Sequence, residues 1–352
     1  MRVLNKEKLA HTIEATLRDD MESCKVGAAA LVVRQRGEIV YQGFFGENVT
    51  EKTLFRLASM TKPITAVAIM RLVDQGLVKV DAPIETYLPG FAGSGITVKH
   101  LLTHSSGLGS RELGDEQHAK RPPESAESLA GAIAYYETLP LAFEPGTAPD
   151  YSPIFGFDVL ARIVEVVSGI SYDRFLKQEI FDPLGMVDTT FDPNEEQWGR
   201  MISMHNRVDG KNVTVSMPKK SVFENFSPSY CAGGAALAGT LEDYGKFAEM
   251  LLNRGGNVLS AEAVKAMGTR QYDIWGLGVR AAFDDEVFTP LPKGCFGWSG
   301  AYGTHFWVDP ANEITAVYMK NSYYDGGSGA VTAHRFELDV YACLDERMDE
   351  NV

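Results

Sequence analysis

Across the first twenty residues, MRVLNKEKLAHTIEATLRDD, apolar side chains return every four positions at Leu9, Ile13 and Leu17. That spacing predicts an amphipathic helix. The next stretch, VGAAALVVRQRGEIVYQGFFGEN, is rich in β-formers on both sides of Arg36-Gly37, which predicts two strands and a hairpin. The pattern then changes. From Ile64 to Val73 only Thr65 and Arg71 are polar, so the helix expected there is buried on nearly all sides. Pro63 falls in its first turn, where a missing N–H costs little, and Gly76 is its stop.

Residues 80–224 are punctuated by Pro, Gly and Ser around helical stretches. The clearest is FGFDVLARIVEVVSG, with Phe157, Leu160, Ile163, Val164 and Val167 at helical spacing and Gly169 as a stop. DPLGM (182–186) reads as a turn. CAGGAALAGTLEDYGKFAEMLLN gives a glycine-rich entry and a helix capped by Thr240. Further on, GVRAAF, GWSGAYGTHFWVD and EITAVYMKN are β-rich, DPAN (309–312) is a hairpin turn, and GAVTAHRFELDVYACLDERM is a closing helix. The order predicts one sheet built from both ends of the chain. Residues 1–80 together with 225–352 are expected to form an α/β (α+β) domain, and 81–224 an inserted, mainly helical one, with a cleft where they meet.

Composition narrows the function. A net charge of −14 excludes nucleic acid as a partner, because phosphate binding needs a basic face. Cys24, Cys231, Cys295 and Cys343 form no C-x-x-C pair and read as buried free thiols. His100 and His104 are four apart, but HLLTHSSGLG breaks into small residues there, so no metal site is expected. The N-terminal stretch lacks the apolar core of a secretory signal, and the longest later apolar run, GAAALVV, is far short of the ~20 residues that span a bilayer. The expectation is a cytoplasmic protein without membrane contact. No motif implies a cofactor, and the pattern is silent on oligomeric state.

The chemistry begins at LASMTKPITAVAIM (57–70). Ser59 stands near the start of the buried helix, with Lys62 three positions on, so both side chains emerge on one face. A structural lysine would snorkel to solvent or pair with a carboxylate. A buried one at the positive end of a helix loses affinity for its proton, and a neutral amine beside a hydroxyl can act as its base. A second S-x-x-K, Ser216 to Lys219, contains a proline and precedes no apolar helix, so it reads as a surface strand or loop.

EPGTAPDYSP (144–153) adds Tyr151 in a turn before a helix, and GWSGAYG (297–303) adds a strand edge lined by small residues. With SMTK, LLTHSSGL (101–108), VVSGISYDRFLKQEIFDPLGM and AGGAALAGTLEDYGKF, these motifs run in order along most of the chain. In them the chain resembles the serine β-lactamase and penicillin-binding-protein superfamily, in particular its class C-like branch with D,D-peptidases and family VIII carboxylesterases. The resemblance implies a β-lactamase/transpeptidase-like fold, an antiparallel sheet flanked by helices plus a helical domain. It implies Ser59 as the acylated nucleophile, Lys62 as its proton acceptor and Tyr151 as a proton shuttle. It also implies an oxyanion hole from the backbone N–H groups of Ser59 and Ala301.

Two departures bear on substrate. The family's Y-x-N becomes Y-x-P, so Pro153 replaces an asparagine side chain that would hold a substrate amide. The third motif, which usually opens on lysine or histidine, reads Trp298-Ser299-Gly300 and offers no charge to a substrate carboxylate. Neutral esters need neither contact. The expected activity is therefore a serine hydrolase, foremost a carboxylesterase on short acyl esters. A weak β-lactamase or D,D-peptidase, an acyltransferase and a ligand-sensing pseudo-enzyme are the alternatives. No G-x-S-x-G occurs, so the α/β-hydrolase route is unsupported. Substrate contacts are expected at Pro153, Trp298, Ser299 and Gly300. His305 reads as packing; Phe44, Phe45, Tyr302 and Trp307 are candidates to line the acyl pocket, with core packing the commoner fate of such residues.

Overall fold

Arg36 and Gly37 both take positive φ, 57° and 78°. That is what a tight two-residue hairpin turn requires. It folds β2 (Ala29–Gln35) back on β3 (Glu38–Phe45). The computed structural model describes residues 2–215, 229–281, 291–327 and 330–346; the second S-x-x-K, at 216–219, lies outside them.

Short strands precede and follow the hairpin: β1 (Arg2–Leu4), and β4 (Phe55–Arg56), which leads into the Ser59 turn. β5 (Met204–Val208) and β6 (Lys211–Val215) form a second hairpin through Asp209-Gly210, and β7 (Ala238–Gly239) pairs with β4. The C-terminal part supplies β8 (Arg280–Ala281), β9 (Phe296–Ser299), β10 (His305–Asp309), β11 (Ile314–Met319) and β12 (Leu344–Glu346). The main sheet is antiparallel in the order β3-β2-β11-β10-β9-β8, so strands from both chain regions share it.

Helices cover both faces. α1 (Lys6–Glu22) buries Leu9, Ile13 and Leu17, as the four-residue repeat requires. With a closing helix over Val331–Ala342 it packs on the sheet face that carries Leu31, Val33, Trp307 and Tyr318. The opposite face presents Ala30, Val32, Phe306, Val308 and Met319 to a larger core. That core contains α2 (Thr61–Asp74), the Phe155–Ser168 helix and the Leu241–Leu252 helix. Gly76 and Gly169 end their helices at positive φ, and Thr240 caps the third by accepting the Asp243 N–H at 3.2 Å.

Local detail adds to these expectations and in places changes them. The closing helix stops at Ala342, and Leu344–Glu346 become β12, paired antiparallel with β1 so that buried Leu344 faces buried Leu4. Three-residue strands carry no readable period, and this ribbon forms only because the two chain ends meet. GWSGAYGTHFWVD is two strands, not one; it breaks at Gly300–Thr304, where Gly303 has φ 94°. The mainly helical middle of the chain also carries the β5–β6 hairpin. DPLGM opens as a helical turn, Asp182–Leu184, closed by Gly185 at φ 65°. Among the described residues no helix is long and apolar enough to cross a membrane.

Candidate active site

Ser59 sits in a 3-10 turn, Ala58–Met60, that runs directly into α2. Ala58 has φ 47°, a strained conformation for a residue with a Cβ. The neighbours over-determine it. Leu57 N–H donates to Leu237 O at 2.9 Å, Thr304 Oγ1 donates to Leu57 O at 3.0 Å, and Tyr244 Oη donates to Met60 O at 2.9 Å. Asn321 grips both backbone groups of Arg56, accepting from its N–H at 3.1 Å and donating to its carbonyl at 3.2 Å. Gly300 fits against this turn only because it lacks a side chain; a Cβ there would stand 2.1 Å from Thr304 Oγ1 and 2.5 Å from Leu57 O.

Ser59, Lys62 and Tyr151 meet. Tyr151 Oη is 2.7 Å from Ser59 Oγ, and Lys62 Nζ is 3.2 Å from the same oxygen. Lys62 is fully buried. Its Nζ donates to Pro153 O at 2.6 Å and to Gly234 O at 2.8 Å. A neutral amine has two protons and one lone pair. With the protons on those two carbonyls, the lone pair is directed to Ser59 Oγ. The glycine-rich run makes this possible: a Cβ on Gly233 would meet Phe157 O at 2.2 Å, so only glycine lets this backbone approach the Phe155–Ser168 helix.

Burial disfavours charge on Lys62 and lowers its pKa to about 7, against the raising influence of Asp158. Burial pushes Tyr151 up to about 12, with the Ser59 hydrogen bond and Arg111 pulling the other way. Asp158 is itself raised to about 6 by burial, opposed by hydrogen bonds from Tyr230 and Tyr136 and by Arg121. At neutral pH the triad therefore holds a lysine that can be neutral beside a tyrosine that keeps its proton.

Pro153 is at the site, but its backbone carbonyl, not its ring alone, does the chemistry of contact by accepting from Lys62. Trp298 is buried and its ring lies 6.1 Å from Tyr151, 5.1 Å from Trp275 and 5.7 Å from His104, centroid to centroid. Ser299, Gly300 and Ala301 follow it at the end of β9, with Ser299 and Ala301 bordering the same cleft as Ser59. The cleft holds about 740 Å³ and is mainly apolar, with Ile154, Trp275, Leu291, Phe296 and Trp298 in its walls.

Several residues at the site escaped the sequence reading. His104 supports the Tyr151 loop: its Nδ1 accepts Ser152 N–H at 3.2 Å and its carbonyl accepts Asp150 N–H at 2.8 Å. Its position in LLTHSSGL was the available signal. Gly234 lies in the glycine-rich AGGAALAG run, which was its signal, and Trp275 carried none. His305 is not mere packing, because it bonds Ser299 and Glu337 at the cleft wall. Tyr302 also borders the cleft, whereas Trp307 is core. His100 caps its own short helix, donating through its backbone N–H to Thr97 Oγ1 and accepting Thr97 N–H at Nδ1, and so is not paired with His104.

Known proteins place this architecture. The chain is 30% identical to "Esterase EstB" of Burkholderia gladioli, over 94% of each chain. It is 26% identical to a "Putative D-alanyl-D-alanine carboxypeptidase" of Escherichia coli, over 85% of this chain and 79% of that one. Among solved structures, "EstCE1, a hydrolase with promiscuous acyltransferase activity" superposes with a TM-score of 0.81 at 21% identity, covering 96% of this chain and 99% of that one. The family model described as Beta-lactamase matches residues 13–338. A sheet sandwiched by helices, with an S-x-x-K serine at the mouth of a buried helix, is thus the β-lactamase/transpeptidase-like fold, and the chain belongs to the Beta-lactamase family.

Proposed function

We propose that this protein is a carboxylesterase of the class C-like branch, acting on neutral acyl esters through an acyl-enzyme at Ser59. The observation that carries the reading is the convergence of Lys62 Nζ and Tyr151 Oη on one Ser59 oxygen. Neutral Lys62 takes the Ser59 proton as Oγ attacks the ester carbonyl. The oxyanion forms against the backbone N–H groups of Ser59 and Ala301. The proton passes through Tyr151 to the departing alkoxide, and the acyl group stays on Ser59. Water then attacks the acyl carbonyl along the same path, its proton passing through the Lys62–Tyr151 pair to Ser59 Oγ as the acyl–Oγ bond breaks, and the acid leaves.

The ester preference rests on Trp298 and on the apolar cleft. Against the indole wall a substrate carboxylate forfeits charge-assisted hydrogen bonds of roughly 1.5–3 kcal/mol each. The cations that line the cleft stand elsewhere in it, Arg111 over the Tyr151 ring and Arg280 on β8 opposite Gly297. A neutral ester loses nothing there. The esterase named among the relatives supports the same reading. The reading also takes residues 1–80 with 225–352 as one lobe and 81–224 as the other, with the site between them.

The test is a side-by-side rate measurement on p-nitrophenyl butyrate and a chromogenic cephalosporin, with Ser59→Ala as control. Fast ester hydrolysis, slow lactam opening and an inactive variant are expected. Lactam opening as fast as ester hydrolysis would overturn the ester preference, and an active Ser59→Ala would overturn the nucleophile.

A further inference from the structure

β9 and β10 pair so that Ser299 stands directly opposite His305. Cross-strand partners project from the same sheet face. Ser299 Oγ and His305 Nδ1 are 2.8 Å apart, and His305 Nε2 is 2.9 Å from Oε1 of Glu337 on the closing helix. The other carboxylate oxygen of Glu337 is 3.2 Å from His334 Nδ1. His305 and Glu337 are buried, Ser299 is half-buried, and all three border the cleft that holds Ser59. Nothing in the proposed acyl transfer uses this chain of groups.

Proton counting gives it a direction. A carboxylate has only acceptors, so His305 Nε2 must carry the hydrogen that faces Glu337. In a neutral imidazole Nδ1 is then an acceptor, and the single Ser299 proton must be donated to it. The Ser299 oxygen is left with lone pairs for the cleft. Without Glu337 the hydroxyl could rotate and serve either role; with Glu337 as a carboxylate and His305 as a neutral ring, the polarity is set.

We infer that Ser299 is a specificity-determining hydrogen-bond acceptor, locked in that polarity by His305 and Glu337. It selects substrates that carry a hydroxyl or N–H donor close to the scissile carbonyl. This rests on the carboxylesterase reading and refines it to donor-bearing esters, with hydroxyacyl esters as the substrate class. The same lone pairs repel a carboxylate, so Ser299 acts in the same sense as Trp298 against anionic substrates. Ser299 is two residues from Ala301, so a donor held by it lies near the proposed oxyanion hole.

The experiment compares kcat/KM for matched p-nitrophenyl esters: 2- and 3-hydroxybutyrate against 2- and 3-methoxybutyrate, which keep the oxygen but lose the donor. p-Nitrophenyl hemisuccinate is the anionic probe. Wild-type protein is expected to favour the hydroxy over the methoxy ester by about tenfold for at least one isomer, the scale of one hydrogen bond. Ser299→Ala should bring that ratio to about one. Glu337→Gln frees the imidazole tautomer; its ratio should also fall, and its discrimination against the hemisuccinate should relax. A structural role alone would move all the esters together and leave the ratios unchanged.

A wild-type ratio near one for both isomers, with Ser59-dependent hydrolysis intact, overturns this proposal and leaves the esterase reading standing. So does a ratio that survives Ser299→Ala. A wild-type preference for the hemisuccinate that is lost in Ser299→Ala means that His305 carries both protons and Ser299 donates, and it overturns the proposal too. One that survives Ser299→Ala belongs to Arg111 or Arg280 in the cleft lining and overturns the part assigned to Ser299 against anions. Absence of turnover on every ester removes the esterase reading, and this inference falls with it.

Discussion

His104 packs its ring 4.6 Å from that of Tyr151, centroid to centroid, while its Nδ1 accepts the backbone N–H of the next residue, Ser152. One side chain thus fixes both the ring and the loop that bring Tyr151 Oη to Ser59. Burial lowers the His104 pKa well below its usual value, with the Lys62 charge adding to the effect, so the ring stays neutral and its Nδ1 can accept. His104 also has φ 52°, which asparagine tolerates better than most residues. His104→Asn is therefore expected to fold, with kcat reduced about tenfold or more and KM little changed. Steady-state kinetics beside a thermal melt check this; an unchanged kcat would mean that the Tyr151 loop holds itself.

The pH dependence follows from Lys62. In the proposed mechanism its neutral form is the base, and burial brings its pKa to about 7. Activity is therefore low at pH 5, half-maximal near pH 7 and level above it. Tyr151, pushed up to about 12, keeps its proton across that range and adds no alkaline fall below about pH 10. Asp158 raises the Lys62 pKa by its negative charge, so Asp158→Asn should move the acidic limb to lower pH. The kcat/KM profile of both proteins from pH 5 to 9 reads this directly. A limb that moves upward in the variant would contradict the assigned coupling.

How much of this was legible in the sequence depends on the range of each contact. Ser59 and Lys62 are three residues apart where a 3-10 turn runs into a helix whose apolar pattern announces its burial, so their pairing needed no tertiary information. Tyr151 joins them across 92 residues. Only its resemblance to a known motif pointed there. Pro153 was read by its missing side-chain donor, but its carbonyl is what Lys62 touches, and every residue type has a carbonyl. His305 was unreadable for a different reason. Its face depends on where β9 stops, and the Gly300–Thr304 turn sets that through a backbone bond from Gly300 N–H to Thr304 O at 2.7 Å.

Trp298 offers a test of the lost cation. Trp298→His returns an ionisable, donor-bearing ring to the wall beside Tyr151 and shrinks the aromatic surface shared with Trp275. Ester kcat/KM is expected to fall about tenfold, and the ratio of cephalosporin to ester turnover to rise by a similar factor. Rates on the two substrates with one enzyme preparation measure the ratio without reference to the active fraction. A ratio that stays fixed would show that this wall does not discriminate by charge.

Gly300 is the point at which stability and catalysis should separate. A methyl group there meets Thr304 Oγ1 and the Leu57 carbonyl well inside contact distance, and Leu57 leads straight into the Ser59 turn. Both neighbours are buried. Relief must come from moving one backbone segment away from the other, which widens the gap between Ser59 and Ala301. Overpacking of this kind costs about 1–3 kcal/mol of stability, a few degrees in a chain of this size. The catalytic effect should be larger, because a displaced oxyanion donor typically costs about 10²–10³ in kcat. Gly300→Ala is therefore expected to melt within a few degrees of wild type, yet to lose at least a hundredfold in kcat. A melting-point drop with kcat intact would mean that the 300–304 turn supports the fold without contributing an oxyanion donor.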